Sequence, residues 1–130
     1  MAPTTLRILI LAVALPAAAV RDAAASITLV AEGRSDYVIV VGPQASPSER
    51  FAAEELQHFL LRITGVRLPV NLSAQYAWQT KKIILALPDS PHFAGVRDKY
   101  AADLAALAGT DGYAVRTSGN QLFLFADCPK

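Results

Sequence analysis

The stretch Ser46–Leu68, SPSERFAAEELQHFLLRITGVRL, decides the fold, because a helix start, an amphipathic body and a helix stop follow one another in it. Ser46 is an N-cap residue, Pro47 takes the first helical position, where its missing N–H costs nothing, and Glu49 stands where a carboxylate closes a capping box. Ala52, Leu56, Phe59, Leu60 and Ile63 recur at helical spacing, while Glu54, Glu55, Gln57 and Arg62 fall mostly off that line. The spacing predicts one buried face, with the Phe59 ring in the core between helix and sheet. Gly65 supplies the left-handed residue that ends the helix. At about 1.5 Å per residue the rod is on the order of 25 Å long, enough to cover one face of a small sheet.

Strands are predicted on both sides of this helix. Ile27–Ala31 and Tyr37–Val41 are rich in β-branched residues and are separated by the polar turn cluster Glu32-Gly33-Arg34-Ser35-Asp36. The second of them, YVIVV, is a continuous apolar run and reads as a strand covered on both faces. After the helix, Val66–Leu72 contains Pro69 and reads as an edge strand, and Ser73–Thr80 as a polar loop holding Tyr76 and Trp78. Lys82–Leu87 is a further buried strand, closed by Pro88-Asp89-Ser90-Pro91, and Asp98–Ala108 is a second, shorter helix ahead of Gly109.

The last unit is a hairpin. Tyr113–Ser118 and Gln121–Ala126 flank Gly119-Asn120, and glycine at the first central position suits a type II′ turn. That turn sets Thr117 opposite Leu122, Val115 opposite Leu124 and Tyr113 opposite Ala126 on one face, with Arg116–Phe123 and Ala114–Phe125 on the other. The final strand is apolar on both sides, so both faces must be covered. The expected fold is α/β: a small mixed β-sheet with one long and one short helix packed in a sandwich. Because the sequence stops just after its most hydrophobic strand, the expectation is a fragment, incomplete at the C-terminus, of a larger protein.

Arg7, the apolar run Ile8–Val20 and Ala23-Ala24-Ala25 ahead of Ser26 read as a secretory signal peptide over residues 1–25, so the expected location is secreted or periplasmic. The run is shorter than the roughly 20 residues of a spanning helix and is interrupted by Pro16, so no stable membrane span is expected. Removal of the leader leaves about 105 residues, enough for one small domain. A net charge of +1 with no basic cluster argues against nucleic acid as a partner. Cys128 is the single cysteine, which excludes an intrachain disulfide and a cysteine-based metal site.

Chemistry-bearing residues are sparse. Glu49, Glu54 and Glu55 read as a solvated helix face, Asp111 as a turn residue, and His58 and His92 share no ligand spacing, so no metal and no cofactor are expected. No Gly-x-Ser-x-Gly elbow and no glycine-rich phosphate loop occur, so no catalytic residue is assigned. Tyr76 and Trp78 are the candidate carbohydrate-binding residues, as an aromatic platform for a sugar ring, against the plainer reading of packing on the helix.

The order ITLVAEGRSDYVIVV (27–41), ASPSERFAAEELQHFLLRITGVRLPV (45–70), KKIILAL (81–87) and DGYAVRTSGNQLFLFA (111–126) resembles the N-terminal domain that precedes the catalytic barrel in alpha-glucuronidases and related hexosaminidase-type secreted glycoside hydrolases. The segment Ala53–Pro69 and the hairpin Asp111–Ala126 carry the resemblance most specifically, and Ala126-Asp127-Cys128-Pro129-Lys130 departs from the glycine-rich turn usual there. The resemblance implies a non-catalytic accessory domain whose partner is the downstream catalytic domain of the same polypeptide, in a parent that breaks down polysaccharide or glycan. The alternative is a carbohydrate-binding or adhesive surface module that recognises glycans through Tyr76 and Trp78 without hydrolysis.

Overall fold

In the computed structural model, residues 26–72 and 80–127 are described. Residues 1–25, Tyr76, Trp78 and Cys128 lie outside them. The elements are β1 (Val38–Val41), α1 (Pro47–Thr64), β2 (Val70–Asn71), β3 (Lys82–Ala86), α2 (Ala101–Leu107), β4 (Tyr113–Ser118) and β5 (Gln121–Ala126), with a 3-10 turn at Ala94–Val96 before α2. The strands form one five-stranded sheet in the order β2-β1-β3-β5-β4. β1 is parallel to both β2 and β3, β3 is parallel to β5, and β4 alone runs antiparallel, against β5. The fold is α/β with a mixed sheet and two helices.

Alternation along the strands divides the core into two layers. Tyr37, Ile39, Val41, Ile83 and Leu85 face α1 and pack with Ala53 and Leu68, joined by the partly buried Leu56, Leu60, Leu122 and Leu124. Val38, Val40, Ile84, Ala86, Phe123 and Phe125 face the other way, where Phe93, Tyr100, Leu104 and Leu107 cover them. The YVIVV run is therefore buried on both sides, as a central parallel strand requires.

Helix α1 starts and stops where its sequence says. The Glu49 N–H donates to Ser46 Oγ at 3.2 Å and the Ser46 N–H donates to the Glu49 carboxylate at 2.8 Å, while Gly65, at φ 74°, donates its N–H to the Leu61 carbonyl at 2.8 Å. The buried line, however, is Ala53, Leu56 and Leu60, and the expected stripe through Ala52, Phe59 and Ile63 is corrected. Phe59 is 50% exposed and Ile63 79% exposed, so neither fills the core. The cause is seating: α1 lies over β1, β2 and β3. The small Ala53 allows close approach there, while Ala52 turns toward Leu124 and Tyr113. Phe59 and Ile63 follow Ala52 on that flank, at helical spacings of seven and eleven residues.

The strand expected at Ile27–Ala31 does not form. Ala31 and Arg34 exchange backbone bonds at 2.9 Å around Glu32 and Gly33, both at positive φ, and the pairing stops at that single bridge. Two causes act. The Ser35 hydroxyl donates to the Leu29 carbonyl and accepts from the Tyr37 N–H, taking the groups a ladder would use. In addition, β1 already has a strand on each side. Ile27, Leu29 and Val30 still pack against the α1-side core. The edge strand around Pro69 is present but shortened to Val70–Asn71, and the second helix to Ala101–Leu107.

The hairpin has the expected register throughout, from Ser118 against Gln121 to Tyr113 against Ala126. Gly119 has φ 57° and Asn120 does not share the positive value, as a type II′ turn demands. The two faces of β5 differ in cover. Phe123 and Phe125 are buried, whereas Leu122 and Leu124 are half-buried and their neighbours Val115 and Tyr113 are 43% and 75% exposed.

Candidate functional site

Strands β1, β3 and β5 are parallel, so their carboxyl ends lie along one edge of the sheet. From β1 the chain passes through α1 to β2 on one side, and from β3 it passes through α2 toward β4 and β5 on the other. The connections diverge between β1 and β3, which makes the carboxyl ends of those strands the topological switch point, the usual place for a crevice in an open α/β sheet. A cavity of about 300 Å³ occupies it, lined by Gly42, Pro43 and Ala45 after β1 and by Leu87, Asp89 and Ser90 after β3, with Glu49 common to both sides. At Gly42 a Cβ would stand 3.6 Å from Ser90 Oγ and 4.0 Å from His92 Cδ2, ordinary van der Waals contact, so the two loops lie side by side there.

A second cavity of about 240 Å³ adjoins the first at Glu49 and Leu87 and runs over β3 and β5, between Ala52 on α1 and Tyr113 on β4. Its walls are Leu85, Leu87, Leu124 and Ala126. This is an apolar slot, and it opens onto the partly covered face of the hairpin.

Glu49, Asp89 and Ser90 at this edge are engaged. The positive end of α1 is neutralised within the chain, because the Glu49 carboxylate holds the Ser46 N–H. Asp89 pairs with Arg97 at 3.0 Å, and Ser90 Oγ accepts the backbone N–H of His92. Burial, aided by the nearby positive charge of Lys82, holds the His92 imidazole below its ordinary value, so it is neutral at pH 7. The arrangement has shape and apolar surface to offer. Two carboxylates line the crevice, Glu49 and Asp89, the first held in the helix cap and the second paired with Arg97.

The outer side of α1 carries a wider, open hollow of about 670 Å³ lined by Glu54, Gln57, His58, Arg67, Val70 and Leu72 among others. Glu54 and His58 lie there in solvent. Among the described residues no three His, Cys, Asp or Glu side chains gather as a metal site. Tyr76 and Trp78, the expected sugar platform, lie outside the described residues. Among those that are described, no helix is long and apolar enough to cross a membrane.

Sequence reasoning missed the switch-point crevice and the slot beside it. The signal available was that the strands ending at Val41 and Ala86 both run into Gly/Pro-containing loops, Gly42-Pro43 and Pro88-Asp89-Ser90-Pro91. What placed those loops together was the strand order, which no local pattern encodes. No family model matches this chain, and no curated protein is significantly similar to it.

Proposed function

We propose that this chain is a non-catalytic accessory domain of an exported, alpha-glucuronidase-like glycoside hydrolase, a support for a downstream catalytic barrel in glycan breakdown. The observation that carries the reading is the uncovered half of the α1-side face. There Tyr113 and Val115 of the hairpin and Phe59 and Ile63 of α1 stand exposed, and Tyr113 lines the apolar slot. Large apolar side chains left exposed on two elements of one face support a docking surface there. The signal-like leader supports export. At the switch-point crevice the Glu49 carboxylate is held in the helix cap and Asp89 pairs with Arg97, which supports a structural role over catalysis there.

The test is to express the whole product of the coding region, reading past Lys130, and to assay it on glucuronosyl and N-acetylhexosaminyl substrates beside this chain alone. Hydrolysis by the whole product and none by the chain is expected. Phe59→Ser with Val115→Ser should lower the melting temperature of the whole product while leaving that of the isolated chain nearly unchanged. A coding region that ends at Lys130, with glycan binding by the chain, would favour the binding module instead.

A further inference from the structure

Strand β4 lies at the outer edge of the sheet, paired with β5 alone. In a hairpin closed by two residues the flanking pair, here Ser118 and Gln121, exchanges its backbone bonds, and every second residue repeats this. Ala114, Arg116 and Ser118 therefore direct their backbone groups to β5, and those of Tyr113, Val115 and Thr117 point away from the sheet. An edge of this kind is a template for another strand.

Two of its carbonyls are occupied by side chains. The Val115 carbonyl accepts from Arg116 Nη1 at 2.9 Å, and the Thr117 carbonyl accepts from the Tyr100 hydroxyl at 3.0 Å. Both donors are held in place by the start of α2 and the core beneath it. Arg116 Nε donates to Asp103 at 2.9 Å and its Nη2 grips the other carboxylate oxygen. The Tyr100 ring is set among Phe93, Phe123 and Phe125. Lys99 adds a bond to Ser118 Oγ at 3.1 Å.

We propose that Tyr100 and the Asp103–Arg116 pair guard this edge against a second copy of the chain, and that the occupant they exclude is β4 of that copy, in antiparallel pairing. The strand is self-complementary about Val115. A two-fold axis there sets Val115 opposite itself and Tyr113 opposite Thr117, and these are the residues whose backbone points outward, so each pair would exchange bonds. Arg116 would face Ala114 of the second copy, which avoids opposing like charges. On the α1 side the new seam would join the exposed Tyr113 and Val115 of both copies. With the guard closed, each of the two carbonyls at the centre of that seam already accepts a side-chain hydrogen bond, so a second strand must share or displace it.

Sedimentation velocity of the full chain over a wide concentration range tests this. The wild-type chain should be monomeric. The double variant Tyr100→Phe, Arg116→Gln keeps the aromatic ring and most of the bulk, and it should dimerise with a dissociation constant at least roughly tenfold lower. Adding Val115→Pro, which deletes the outward N–H at the centre of the seam, should return it to monomer. A folded double variant no more associated than wild type would overturn the proposal, as would association that Val115→Pro does not reverse. Dimerisation of the wild type that Val115→Pro abolishes would overturn it as well. Should circular dichroism find the double variant unfolded, Arg116→Gln alone is held to the same outcomes.

Discussion

Phe93 and Phe59 carry the same side chain and differ in what depends on them. Phe93 is fully buried, its ring 4.8 Å from that of Phe125 and 6.2 Å from that of Phe123, whereas Phe59 stands half in solvent on the open flank of α1. Replacing Phe93 by Ala should cost about 3 to 5 kcal/mol, since both the transfer of the ring and the cavity left behind count against the fold. Phe59→Ala in this chain should stay within about 0.5 kcal/mol of wild type. Urea denaturation of the two variants decides it, and equal losses would mean that α1 is seated on its other stripe. The sequence favours the wrong phenylalanine for a physical reason. Helical spacing marks apolar lines but does not say which of two adjacent lines meets the sheet. Phe93 lies ahead of a 3-10 turn in SPHFAGV, where no period operates, so nothing local advertises its burial.

At the level of single elements, legibility follows the locality of the cause. The limits of α1 were readable because Ser46, Glu49 and Gly65 act on backbone groups a few residues away. The reciprocal cap makes a sharp expectation: Ser46→Ala should destabilise by about 1 kcal/mol. Combining it with Glu49→Ala should cost less than the two single losses together, because each bond orders the partner of the other. A thermal-unfolding double-mutant cycle with strictly additive losses would show that the two bonds act independently. The hairpin was likewise readable residue by residue, since a two-residue turn leaves no freedom of register. Ile27–Ala31 reads as a strand because its apolar character is real and Ile27, Leu29 and Val30 are partly buried, but a strand needs a vacant edge and β1 offers none.

For the molecule as a whole, the order β2-β1-β3-β5-β4 governs what local patterns could not convey. The α/β class and the need for cover on both faces were legible from the apolar runs. The candidate crevice was not, since it arises only where β1 and β3 become parallel neighbours. The same order predicts a gradient of protection. Amides of β1 and β3, buried on both faces and flanked on both edges, should exchange only through global unfolding, while β2, two residues long at the rim, should exchange through local opening. Hydrogen exchange followed by NMR reads this directly, and equal protection of β2 and β3 would contradict it. One further consequence lies in the place of β5. It is the last of the described strands, yet it sits inside the sheet between β3 and β4. A ribosome delivering this chain has released both helices and four strands before the strand that seals the flank of β3 has emerged. The sheet therefore stays open on that flank until β5 has been made.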